Sequence, residues 1–198
     1  QLVDLIEAHT PGLRFDVVVG RNAWGRLADK TAAARVVSRV LRPGGRLVLS
    51  EVIARRSQRL YQLIDLSSLD AELAARLTAA EEALYAGPGP QLSWDSPDLE
   101  AALVAAGMVA VRLQVDTHPT QRRITGPQLA EWFAPGGEKR ATYASHLRRR
   151  LDEAEVRQVR RLFEQQLANQ TVAWTSTHVL VYAEKDAVAA VDAAGMPA

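Results

Sequence analysis

The chain has 198 residues, with 24 Lys plus Arg against 23 Asp plus Glu, and no cysteine. A net charge of +1 beside a hydrophobic fraction of 47% describes a foldable chain and not a disordered one, and it supplies no global charge for holding nucleic acid. Disulfide scaffolds and thiolate-ligated zinc or iron–sulfur sites are excluded without cysteine, and no apolar run approaches the roughly 20 residues of a spanning helix.

Residues 1–9 place Leu2, Leu5 and Ile6 on one helical face before Pro11 and Gly12 break the run. Residues 15–20 (FDVVVG) form a short β-branched run bounded by glycine, which predicts a strand buried on both faces, as in a parallel sheet. Residues 22–29 read as a loop or helix start. Residues 31–41 put Val36, Val37, Val40 and Leu41 at helical spacing, and Arg42-Pro43-Gly44-Gly45 then stops the helix. Residues 46–53 (RLVLSEVI) predict a second apolar strand, so strand, helix, turn and strand make one right-handed βαβ unit.

Helical texture follows. Leu60, Leu63, Ile64 and Leu66 predict a helix over 59–69, and Asp70 is placed to cap a second over 70–85 whose Leu73, Leu77 and Leu84 face inward. After the Gly87-Pro88-Gly89-Pro90 loop, Asp95-Ser96-Pro97-Asp98 opens a helix that Gly107 ends. Residues 108–116 alternate as a half-exposed strand. Residues 125–133 read as a capped short helix, 143–151 and 152–167 as two more, and 172–183 as a closing strand. The tail 186–198 is Ala-rich and expected to fray. The chain opens on Gln1 instead of Met, which predicts a fragment of a longer protein.

The stretch FDVVVGRNAWGRLADKTAAARVVSRVLRPGGRLVLSEVI resembles the second half of class I S-adenosylmethionine-dependent methyltransferases. In that family a Phe-Asp-hydrophobic strand leads through a loop and helix to a Leu-Lys/Arg-Pro-Gly-Gly turn and another apolar strand, the fourth and fifth strands of a doubly wound sheet. SPDLEAALVAAGMVAVRLQV is similar to the family's last helix and sixth strand, and THVLVYAEK to its seventh, antiparallel strand. The resemblance implies an α/β fold, a Rossmann-like methyltransferase sheet lacking its N-terminal strands, with helical elaboration. It spans residues 1–185, with 186–198 as the tail. It also implies a transferase, competent only with the N-terminal half present, in the cytoplasm and without a membrane. The family's cofactor sits on the first half of the sheet, on a Gly-rich turn with an acid for the ribose hydroxyls. No Gly-x-Gly precedes Phe15, so S-adenosylmethionine is expected only in the complete domain.

A second resemblance covers QRLYQLIDLSSLDAELAARLTAAEEALYAGPGPQLSWDSPDLEAAL, GPQLAEWF, YASHLRRRL and LANQTVAW. These segments are similar to the C-terminal methyltransferase-like extension of some bacterial, notably cyanobacterial, clamp-loader-like AAA+ ATPases of DNA replication and recombination. It implies the alternative, a non-catalytic accessory domain with an AAA+ module in the same polypeptide. No Walker lysine motif is present, so ATP hydrolysis cannot belong to these residues.

The first resemblance implies that Gly20, Arg21 and Asn22, just beyond the first strand, meet the cofactor, and that Trp24 and Glu51 lie on the substrate side. Each has a plainer alternative. Asn22 caps a tight turn, Trp24 packs under its loop, and Glu51 points to solvent from a strand end. Tyr61, Tyr85, Trp94 and Trp132 either close a pocket or fill cores. His9, His118, His146 and His178 lack metal-ligand spacing, and no metal site or catalytic residue is assigned. Arg148, Arg149, Arg150, Arg157, Arg160 and Arg161 are expected on a solvated helix face, with Arg160 relieved by Glu164 and weak nucleic-acid contact as the alternative.

Overall fold

A computed structural model of the chain describes residues 8–137 and 141–187. The predicted helix at 1–9 lies outside these residues except at its last two positions, and so does nearly all of the tail. The fold is α/β, with a four-stranded sheet ordered β1-β2-β4-β3. β1 (Phe15–Arg21) pairs in parallel with β2 (Leu41–Val52), and β2 pairs antiparallel with β4 (Thr171–Lys185). β3 (Met108–Arg123) completes the order. The antiparallel closing strand expected from THVLVYAEK is therefore β4.

α1 (Lys30–Val40) connects β1 to β2. Its start is fixed by Asp29, whose carboxylate accepts from the Ala32 N–H at 2.8 Å and so satisfies one of the first-turn donors. The Pro-Gly-Gly stretch is not a turn outside the sheet, as the sequence suggests. It lies within β2, where the register jumps from Phe15 opposite Leu41 to Val17 opposite Arg46. Gly44 takes φ +70°, and a Cβ on Gly45 would stand 2.8 Å from the Arg42 carbonyl and 3.0 Å from that of Phe15. Backbone crowding, more than turn geometry, demands glycine at 45.

The chain divides into two compact units, one of residues 1–55, 89–117 and 177–198, the other of 56–88 and 118–176. The first is built around Leu47 and Leu49 of β2 and Val179, Val181 and Ala183 of β4, all buried. α1 supplies Ala34, and α3 (Ser96–Ala105) supplies Leu99 and Leu103. α3 opens at Asp95-Ser96-Pro97-Asp98, as its sequence predicts, and does so on a reciprocal cap between Asp95 and Asp98.

β1 departs from its expected burial on both faces. It is the edge strand of the sheet. Val17 and Val19 are exposed, Val19 at 73%, and so is Val48, the ladder partner of Val19. Apolar runs suit strands covered on both sides, yet among the described residues this edge lacks a partner strand.

The second unit is helical, with α2 (Ala71–Tyr85), α4 (Gly126–Trp132), α5 (Tyr143–Leu147) and α6 (Glu153–Leu167). Asp70, Thr125, Thr142 and Asp152 cap their starts. Leu73, Leu77, Phe133, Tyr143, Val159 and Phe163 are buried in its core, where Phe133 meets Tyr143 and Phe163 edge-on, with centroids 5.6 and 5.4 Å apart. The helix expected over 59–69 is only a 3-10 turn at Leu60–Leu63, after which Ile64 is extended; the Asp65 N–H and carbonyl, which a helix would use, pair instead with the Gln166 side chain at 2.7 and 2.9 Å. The helix expected over 143–151 stops at Leu147. On α6 the expected Arg160–Glu164 pair forms at 2.7 Å, and Arg148 pairs with Glu153. Among the described residues no helix is long and apolar enough to cross a membrane.

Candidate functional site

Because β1 and β2 are parallel, both release the chain at the same end of their ladder. Arg21 ends β1 opposite Ser50, and the Asn22 backbone N–H donates to the Ser50 carbonyl at 3.0 Å. Asn22 then takes φ 49°, a left-handed conformation that asparagine tolerates better than most residues. It turns the chain out of the sheet and into a 3-10 turn at Trp24–Arg26.

Glu51 holds that turn. Its Oε1 accepts from the backbone N–H groups of Ala23 (3.0 Å) and Trp24 (3.1 Å), and its Oε2 accepts from that of Gly25 (3.1 Å). The expectation that Glu51 points to solvent is corrected, since the residue is 1% exposed. Strand parity explains this: Glu51 shares the inward face with Leu47 and Leu49, and a buried carboxylate persists only where donors surround it. The same parity was legible in the sequence, but the three donors were not.

Lys30, at the start of α1, is a second buried charge that sequence reading missed. It is 8% exposed and donates to the carbonyls of Leu27 (3.0 Å) and Pro90 (3.3 Å). Its Nζ lies 5.4 Å from the centroid of the Trp94 ring. Burial pushes its pKa below the usual lysine value, while the charges of Asp98 and Glu51 oppose the shift. Glu51 and Lys30 thus brace the loop following β1, and Lys30 joins it to the segment carrying Pro90.

Between these braces lies a cavity of about 260 Å³ lined by Asn22, Gly25, Arg26, Glu51, Val52, Ala54 and Gln91. Its position outside the carboxyl ends of two parallel strands is where ligands bind in open α/β sheets. Of the residues singled out in the sequence, Asn22 and Glu51 line it. Trp24 is buried under the loop, as its plainer reading has it. Gly20 lies within β1, where a Cβ would stand 2.7 Å from Leu49 Cδ2, and Arg21 is exposed at the strand end. Gly25, Arg26 and Gln91 were not anticipated, and Gln91 lies too far along the chain for any local spacing to reveal it.

Of the other aromatics, Trp94 is buried in the first unit's core, while Tyr61 and Trp132 pack against the core of the second. Tyr85 sits under the Arg59 guanidinium, 4.0 Å from ring centroid to carbon. The second unit also holds Glu81, 1% exposed, which accepts from the Tyr143 hydroxyl (2.8 Å) and the Tyr61 N–H (3.1 Å). Burial raises its pKa, and these hydrogen bonds with the Arg59 charge oppose the rise. Among the described residues no group of three or more acids and histidines is placed to hold a metal ion.

The residues present do not fit a whole S-adenosylmethionine. A nucleoside with an amino-acid arm needs a pocket within the usual small-molecule range of roughly 300–1,000 Å³, and this cavity falls short of it. Its one acid, Glu51, has both oxygens engaged by backbone donors, which leaves no free carboxylate for ribose hydroxyls.

No protein-family profile matches the sequence, and no curated protein matches it. Similar solved structures include the YcgJ protein from Bacillus subtilis, with a TM-score of 0.42 and 16% identity over 87% of this chain and 64% of that one. Another is a Bacillus halodurans protein described as a candidate methyltransferase, with a TM-score of 0.39 and 15% identity over 87% of this chain and 65% of that one. A third is phosphoethanolamine N-methyltransferase 2 from Haemonchus contortus, in complex with S-adenosyl-L-methionine, with a TM-score of 0.38 and 12% identity over 87% of this chain and 33% of that one. The chain spans less than two thirds of the length of each of these structures.

Proposed function

We propose that this chain is the substrate-side part of a class I S-adenosylmethionine-dependent methyltransferase domain, whose cofactor-cradling strands belong on the open side of β1. The observation that carries the reading is the sheet edge. A β-branched strand in parallel pairing ends at a cavity, yet among the described residues its outer side has no partner strand and two of its valines, Val17 and Val19, are exposed. FDVVVG lies in β1 and RLVLSEV in its parallel partner β2, the strand neighbours that the resemblance implies, although the Pro-Gly-Gly stretch lies within β2 and is not a separate turn. In this reading Gly20, Arg21 and Asn22 face the cofactor when the missing strands are present, and Glu51 and Trp24 shape the substrate side. The protein's part in such chemistry is alignment, holding an acceptor at a fixed distance and angle. No feature of the described residues favours the AAA+ accessory-domain alternative.

Isothermal calorimetry tests the reading. The 198-residue chain alone is expected to show no S-adenosylmethionine binding, and binding should appear when the polypeptide is extended by the residues encoded before Gln1. Micromolar binding to the chain alone, or none to the extended polypeptide, overturns it.

A further inference from the structure

The cavity beside Glu51 has an excess of hydrogen-bond donors. Among the described residues, the side chains of Asn22, Arg26 and Gln91 make no hydrogen bond or ion pair, although all three line it. Arg26 brings a permanent positive charge and a planar fork of N–H groups. Asn22 and Gln91 each bring an amide that can donate. Val52 and Ala54 give the cavity an apolar wall.

Behind the polar rim are further unmatched donors. Trp24 Nε1 and Trp94 Nε1 are enclosed and find no acceptor, although their residues are only 5% and 2% exposed. A buried indole N–H ordinarily finds a partner. Trp94 Nε1 lies 3.4 Å from the point where a Gly25 Cβ would stand, and Glu51 Oε2 lies 3.7 Å from that point. Gly25 lines the cavity, so the unmatched indole and the ligand space flank the same glycine.

The one acid at this place does not answer the donors. All three of its hydrogen bonds run to backbone N–H groups. Among the described residues Arg26 forms no ion pair, with Glu51 or with any other acid.

We propose that the cavity lined by Asn22, Gly25, Arg26 and Gln91 binds a small organic carboxylate, with the Arg26 guanidinium taking the carboxylate and the Asn22 and Gln91 amides orienting it. The rest of the ligand lies along Val52 and Ala54. Charge-assisted bidentate pairing favours a carboxylate over its neutral amide. Glycine at 25 lets a ligand oxygen approach the backbone, close to the Trp94 indole behind it. The inference rests on the reading above, in which Glu51 shapes the substrate side; it places the methyl acceptor in the cavity beside Glu51, with Asn22 at its border with the cofactor, and names that acceptor's class.

Benzoate and its neutral isostere benzamide are suitable probes on the full 198-residue chain, followed by ¹⁵N NMR of backbone amides and tryptophan indoles. Benzoate should shift the Trp94 indole and the Gly25 and Gln91 amides saturably, and benzamide at equal concentration should not. Arg26→Ala should weaken benzoate binding about tenfold or more, and Gln91→Ala about two- to tenfold. Both residues are exposed, so neither change threatens the fold. An absence of benzoate shifts at these groups overturns the proposal. Equal shifts with benzamide, or unchanged benzoate affinity in Arg26→Ala, do so too. No S-adenosylmethionine enters this experiment, so its outcome is independent of the calorimetric test.

Discussion

Replacing Glu51 with alanine should release the loop that shapes the cavity. The carboxylate accepts three backbone hydrogen bonds at 3.0, 3.1 and 3.1 Å, two of them in buried surroundings. A hydrogen bond to a charged group contributes roughly 1.5–3 kcal/mol, and a buried donor left without a partner costs about 1–3 kcal/mol. The cavity beside the loop admits water to part of the gap, and the Ala23 donor is only partly buried. Glu51→Ala should therefore destabilise the chain by about 3 kcal/mol, within the range for a broken buried network. Glu51→Gln keeps one acceptor oxygen but turns an amide N–H₂ toward the loop, and should cost about 2 kcal/mol. Guanidinium unfolding gives the global change, and hydrogen exchange at Ala23, Trp24 and Gly25 gives the local one. If Glu51→Ala stays within about 0.5 kcal/mol of the parent, as surface substitutions do, or if those three amides keep their protection, the carboxylate does not hold the loop.

Three further outcomes follow from particular contacts. Gly45→Ala should destabilise more than Gly44→Ala in thermal melts. A Cβ at 45 meets backbone carbonyls at 2.8 and 3.0 Å, whereas Gly44 has open space and only its φ of +70° to disfavour a side chain, a cost of about 1–2 kcal/mol; the reverse order refutes the crowding account. Glu81 is held above its ordinary value of 4.5 by burial, so its contribution to stability is fully present below that value and is lost as the pH climbs through the raised folded-state pKa. The melting temperature of Glu81→Gln should change less over this interval than that of the parent, and identical pH profiles count against it. The β1 edge, unpaired among the described residues, should drive concentration-dependent association, seen by sedimentation velocity. Val19→Lys, at a position 73% exposed, should reduce it, and undiminished association would place the contact elsewhere.

Much of the architecture is carried by local signals. Asp29, Asp70, Asp95, Thr125 and Asp152 cap helices because an acceptor side chain ahead of a helix-forming run serves the unpaired first-turn donors wherever the run lies. FDVVVG and RLVLSEVI form neighbouring strands because β-branched apolar runs bury best in a ladder. The segment at 59–69 shows the limit of such signals. Its leucines have helical spacing, but Gln166, remote in sequence, captures the Asp65 N–H and carbonyl that a continuing helix would need.

The amino-acid order by itself determined which segments become strands and helices and where most of them begin, since capping and hydrophobic periodicity act over a few residues. Only the tertiary structure decided that the Pro-Gly-Gly stretch is absorbed within a strand, that β1 is an exposed edge, and that Glu51 turns inward to organise a loop beside Gln91 and Trp94. Each of these outcomes depends on a partner supplied by a distant part of the chain. A hydrogen-bond donor or a packing neighbour brought from that far leaves no periodicity in the sequence around the residue it restrains.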